Sequence, residues 1–144
     1  MSHIHRSALL PYSDQQMFAL VNDVAAYPEY LSGCVEAIVH EQTQDAMLAT
    51  LMLERRGIRM QFTTRNRLDA PKSIVMQLHD GPFEAFEGRW FFQYLRADAC
   101  KVVLDMQFSL NNRLAAAAGR AMFDAVSHNM VDAMVQRAKV IYGQ

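Results

Sequence analysis

The chain has 144 residues, 51% of them apolar and 20% charged, with 14 basic against 15 acidic side chains. That balance excludes a disordered chain and an overall basic nucleic-acid-coating protein, so any basic surface has to be local. Cys34 and Cys100 are isolated, in no C-x-x-C pattern, which argues against a cysteine metal site or redox pair and fits a reduced, cytoplasmic setting.

One domain over residues 1–144 is expected, long enough to bury a core without disulfide or metal support. The first ten residues carry His3, His5 and Arg6 without a continuous apolar run, so no signal peptide is expected there. No apolar run approaches the roughly 18 residues of a membrane span.

Ile4 to Leu10 reads as a first strand, closed by Pro11. Ser13 followed by Gln16 is a capping box, with Tyr12 and Met17 placed as a hydrophobic staple, and a helix to about Val24 follows. Tyr27-Pro28-Glu29-Tyr30-Leu31 is a short aromatic turn or second helix, proline being harmless at an early position. From Gly33 the apolar period changes from 3.6 to 2. Strands are expected at Cys34 to Glu41, Ala46 to Glu54, Ile58 to Leu68, Ser73 to His79, Glu84 to Leu95 and Cys100 to Leu110. The last alternates most clearly, with Cys100, Val102, Leu104, Met106, Phe108 and Leu110 against Lys101, Asp105, Gln107 and Ser109. Connections as short as Arg55-Arg56-Gly57 require antiparallel neighbours.

The chain closes on one long helix, Asn112 to Tyr142. Leu114, Ala118, Met122, Val126, Met130, Met134, Ala138 and Ile141 form its apolar stripe, opposite Arg120, Asp124, His128, Asp132 and Gln136. Its inner side also carries the small residues Ala115 to Gly119 and Ala121. The expected class is α+β: a curved seven-stranded antiparallel sheet wrapped around the C-terminal helix, with two short helices after strand one. A bowed sheet and a straight helix leave a space between them. Large inward rings alternate there with Gly88 and several of the chain's ten methionines, so an apolar tunnel is expected.

Hydrolase, metalloprotease and nucleotide-binding motifs are missing from the sequence. His3 and His5 share one face of an edge-like strand, and Asp105, Glu87 and Glu54 fall on outward phases. Neither a catalytic set nor a metal site is expected, and no cofactor is required. One surface feature is sharper: Arg55, Arg56, Arg59, Arg65 and Arg67 put five arginines into thirteen residues. Such a ribbon fits a solvated, edge-protecting face, or phosphate contact with RNA or the anionic headgroups of a membrane surface.

Leu20-Val21-Asn22-Asp23-Val24 with Tyr27-Pro28, Tyr30-Leu31 and Cys34 resembles the first signature of a START-like subfamily, the one joining the ribosome association toxin RatA to mitochondrial coenzyme Q-binding proteins. Phe62-Thr63-Thr64-Arg65-Asn66, and Asp80-Gly81-Pro82-Phe83 with Gly88, Trp90 and Phe92, resemble the second and third. Ser32 departs from the proline usual in relatives. The resemblance implies a helix-grip fold with an apolar tunnel, and it implies two functions. One is non-enzymatic binding of an apolar lipid, ubiquinone or a related isoprenoid quinone, in support of respiration. Its lining would come from Val24, Tyr30 and Leu31, from the strand residues Phe62, Met76, Trp90, Met106 and Phe108, and from Met122, Val126 and Met130. The other is binding of the large (50S) ribosomal subunit and its RNA, blocking subunit joining. A polyketide cyclase activity, also attached to this fold, would need polar groups in the tunnel, and the inward phases offer few. Both leading functions place the protein in the cytoplasm, the lipid one also at the inner face of the membrane.

Overall fold

The computed structural model describes residues 2–111 and 116–143. The expected helix residues Asn112, Leu114 and Ala115 lie outside that range. The strand β1 (Ser2–Leu10) leads into a made capping box: Ser13 Oγ accepts the Gln16 N–H at 3.0 Å, and Gln16 Oε1 accepts the Ser13 N–H at 2.9 Å. These bonds satisfy two otherwise orphaned donors and fix the start of α1 (Asp14–Asn22). The helix ends at Asn22 rather than near Val24, because Asp23 leaves helical dihedrals at φ −82° and ψ 70°. The chain then tightens into a 3-10 helix, Val24–Glu29, with Pro28 inside it.

The six remaining strands are β2 (Cys34–Gln42), β3 (Ala46–Arg55), β4 (Ile58–Asp69), β5 (Ser73–Asp80), β6 (Phe83–Arg96) and β7 (Ala99–Leu110). They form one antiparallel sheet in the order β1-β7-β6-β5-β4-β3-β2. Alternation sets the faces. In β4, Met60, Phe62, Thr64, Asn66 and Leu68 are buried and the residues between them are half-buried or exposed. A two-residue turn joins β3 to β4, with Arg56 at φ 53° and Gly57 at φ 81°. That is the left-handed geometry that matches the twist of a hairpin.

Across the concave face lies α2 (Ala116–Tyr142). Its buried side runs through Gly119, Met122, Phe123, Val126, Ser127, Val131, Met134 and Ala138. The stripe drawn from sequence is corrected at its ends: Ala118 is exposed and so is Ile141, at 49%. Steps of four drift about 40° each around a helix of 3.6 residues per turn, so a stripe drawn that way walks off the sheet. Ala117, Ala118 and Ala121 are exposed and do not line the interior. Of the small residues described there, Gly119 is the one turned inward, where a Cβ would lie 3.4 Å from Met60 Cε.

Polar contacts fasten the helix. Arg6 of β1 donates to the His128 carbonyl at 2.7 Å and pairs with Asp132 at 3.3 Å. At its C-terminal end Tyr142 donates to the Gln16 carbonyl at 2.8 Å, and the Tyr12 ring packs 5.7 Å from that of Tyr142. Inside, five phenylalanines fill one end of the sheet–helix space. Phe123 of α2 stands 4.6 Å from Phe108, 5.2 Å from Phe83, 5.5 Å from Phe62 and 6.2 Å from Phe86, ring centre to ring centre.

Candidate functional site

Between sheet and helix, among the described residues, lies a cavity of about 50 Å³. That is room for a few water molecules at roughly 10–15 Å³ each, against roughly 300–1,000 Å³ for an ordinary small-molecule site. The long tunnel expected from the sequence is therefore corrected to a small pocket, because the phenylalanine cluster occupies the rest of the space.

Of the residues expected to line a tunnel, Val24, Leu31, Phe62, Met76, Trp90, Met106, Val126 and Met130 meet at this pocket. Tyr30, Phe108 and Met122 do not. Tyr30 is drawn outward: its hydroxyl donates to Met134 Sδ at 3.0 Å, and the Arg137 guanidinium, itself 2.9 Å from Glu29, covers the ring at 4.9 Å. Phe108 is sealed among the other rings. Met122 lies under a surface groove with Arg55, Arg56, Ile58 and Ala118.

The pocket also holds residues that the sequence reading missed. Three are polar and buried: Thr64 at 7%, Asn66 at 5% and Ser127 at 3% exposure. Thr64 and Asn66 share the inward phase of Phe62, so continuing that alternation by two more steps would have found them. Ser127 gives no comparable signal, since the stripe ran past it through Val126 and Met130. Ala49, Leu51 and Leu53 of β3 complete the far wall.

Strand register puts Asn66 in one inward row across the sheet, Met47–Asn66–Met76–Gly88–Met106. At Gly88 a Cβ would lie 2.7 Å from Met76 Cε, so the flexible methionine end rests on the bare backbone. Beside this row the β4–β5 ladder slips, Thr63 pairing Asp80 and Thr64 pairing Leu78. Among the described residues no carboxylate, histidine, lysine or arginine lines the pocket. Its one phenol, Tyr27, is held as a donor to the Val21 carbonyl, and burial pushes its pKa well above the ordinary range. Burial likewise pushes the Cys34 and Cys100 thiols up to about 11.

The five arginines are all exposed on the β3–β4 hairpin, spread along it rather than gathered. Arg55 and Arg56 stand at the turn, and Arg59 to Arg67 covers eight residues, about 26 Å of strand. Arg59 pairs with Glu54 at 2.6 Å and Arg65 with Glu41 at 3.9 Å, both exposed. Arg55, Arg56 and Arg67 have no carboxylate partner among the described residues. Elsewhere His3 and His5 bracket Asp105 at 2.6 and 3.7 Å, and the His3 hydrogen bond holds that carboxyl below its usual range. Among the described residues no cluster of three His, Cys, Asp or Glu could hold a metal ion, and no helix is long and apolar enough to cross a membrane.

Residues 10–135 match the family described as polyketide cyclase / dehydrase and lipid transport. Ribosome association toxin RatA of Vibrio cholerae O395 is 44% identical over 144 residues, all of both chains. The mitochondrial coenzyme Q-binding protein COQ10 of Drosophila melanogaster is 22% identical over 138 residues, 93% of this chain and 57% of that protein. Among solved structures, the Zhui aromatase/cyclase from Streptomyces sp. R1128 superposes with a TM-score of 0.82 at 17% identity, over 96% of this chain and 95% of that one, a likeness of fold. The chain belongs to the polyketide cyclase / dehydrase and lipid transport family, and within that START-like superfamily to the subfamily of RatA and the coenzyme Q-binding proteins.

Proposed function

We propose that this chain associates with the ribosome, meeting RNA of the large (50S) subunit with the β3–β4 hairpin and hindering subunit joining. The observation that carries it is end-to-end identity of 44% with a protein named ribosome association toxin. The hairpin supplies chemistry to match. Arg55, Arg56 and Arg67 are exposed with no described carboxylate partner, and the pairs held by Arg59 and Arg65 are solvent-screened and readily exchanged for phosphate. A pocket without a carboxylate, histidine or lysine suits a binding protein better than an acid–base enzyme.

The test is cosedimentation with purified 50S subunits across a salt series, comparing wild type with R55E/R56E and R65E/R67E. Wild-type binding should weaken steeply with salt, each phosphate contact adding about 0.7–0.9 to the log–log slope. At least one charge-reversed pair should lose binding about tenfold or more at low salt, on the ordinary scale of several lost phosphate contacts. Salt-independent binding, or two variants that sediment like wild type, would overturn this assignment.

The interior supports a second function, the binding of an apolar lipid of the isoprenoid quinone class. The cavity of about 50 Å³ is too small for such a molecule as it stands. Three of its walls are methionines, Met76, Met106 and Met130, whose unbranched side chains move at low cost. Extraction of the purified protein and mass spectrometry should return a bound isoprenoid; protein that is empty from a quinone-making host would remove this function.

A further inference from the structure

A carboxamide placed in the middle of an apolar wall requires an explanation. Asn66 is 5% exposed and stands between Met47 and Met76 in the transverse row. A buried amide destabilises the fold when its hydrogen bonds are not replaced. One end is provided for: with the amide assigned by its hydrogen bonds, Thr64 Oγ donates to Asn66 Oδ1 at 2.9 Å. Among the described residues nothing accepts from Nδ2, which carries two donors. Of the buried side-chain polar atoms of the described residues, Asn22 Oδ1 is both sealed and unpaired. Asn66 lines the cavity, so that space is where an acceptor for Nδ2 can sit.

We propose that Asn66, oriented by Thr64, is the recognition point of this pocket for the oxygen of a neutral, otherwise apolar carbonyl compound, with the Ser127 hydroxyl on the helix wall of the same pocket. This inference rests on the lipid-pocket function proposed above and names what that function selects. The oxygen comes from the chemistry of the site, since free N–H groups seek an acceptor. A charged acceptor such as a carboxylate is disfavoured, because among the described residues no cation lines the pocket to offset its desolvation. The slip in the β4–β5 ladder falls at Thr64, where such irregularities re-aim side chains toward a site. Met76, resting on Gly88 and directly opposite Asn66, is the side chain that must swing as a guest enters.

The test uses two small probes of one shape, cyclopentanone and methylenecyclopentane, titrated into the full chain and followed by NMR. Only the ketone should shift the Asn66 side-chain amide resonances of wild type. The ketone-to-alkene affinity ratio should fall about three- to tenfold in Asn66→Leu, the range of one hydrogen bond, and by a smaller factor in Thr64→Val. Comparing this ratio between wild type and variant cancels the different hydration of the two probes. Binding of both probes without an Asn66 shift, or with an unchanged ratio, overturns the recognition role while leaving the pocket. Binding of neither probe overturns the pocket function and the inference together. If Asn66→Leu does not fold, the wild-type amide shift and Thr64→Val still decide.

Discussion

Gly33 lies at φ 93°, and a Cβ built there would come 2.8 Å from Val126 Cγ2. Two costs therefore coincide, the left-handed backbone that L side chains avoid and a clash with a stiff β-branched residue on α2. Its carbonyl also accepts the Glu54 N–H at 2.9 Å, so the backbone is tied to β3 and cannot swing away. Gly33→Ala should lose about 2–3 kcal/mol and melt roughly 5–10 °C lower. Gly57, at φ 81° with nothing within 4 Å, carries only the backbone cost, so Gly57→Ala should lose about 1 kcal/mol. Equal losses in the two variants would mean that the Val126 contact does not matter. The buried thiols give a pH prediction. With Cys34 and Cys100 pushed to about 11, the folded state keeps its protons where an unfolded chain, at about 9, has lost them. Their contribution is complete below about pH 9 and disappears as the pH rises toward 11. Native protein at pH 8 should react with a thiol reagent at least about tenfold more slowly than urea-unfolded protein, following the thiolate fraction. Equal rates would contradict the burial.

At the scale of elements, most of the architecture was legible because it rests on local chemistry. Ser13 and Gln16 mark a helix start whatever surrounds them, and strict alternation in β4 and β7 fixes which face is buried. The Glu54–Arg59 pair was legible too and was missed. A two-residue turn at Arg56-Gly57 places Arg55 opposite Ile58 and so Glu54 opposite Arg59. The Glu41–Arg65 pair was not, since the two residues meet across β3 and the sheet order has to be known first. The long helix was drawn with the wrong inner face at its ends for a related reason. Small residues at its start carry little information on which way they point, and Phe123, which holds the helix to four rings of the sheet, was left off the stripe. Part of the pocket wall follows the same rule: Phe62, Trp90 and Val126 follow from phase, whereas Tyr30 is held by Arg137 and Met134, long-range partners that no local pattern announces.

Over the whole molecule, the quantity that decides between a carrier and a surface-acting protein is the volume left between sheet and helix. Periodicity gives which residues face inward but not how tightly their rings interdigitate, so the expected tunnel became a cavity of about 50 Å³. Phe123 is the side chain that sets this volume. It is 3% exposed, lines the pocket, and packs at 4.6 to 6.2 Å on Phe108, Phe83, Phe62 and Phe86. Phe123→Ala should cost about 3–5 kcal/mol, as for other buried phenylalanines, and lower the melting temperature by roughly 10 °C or more. The same change joins the space of one ring to the existing cavity, whose mostly apolar walls then leave room for a small aromatic molecule. Benzene should therefore bind the variant about tenfold or more tightly than wild type and raise its melting temperature by more. A variant destabilised to the expected degree but with no gain in benzene affinity would mean that the sheet closes onto the helix when the ring is removed. The interior would then be too compliant to hold a lipid-sized space of its own, and the arginine hairpin would carry the function.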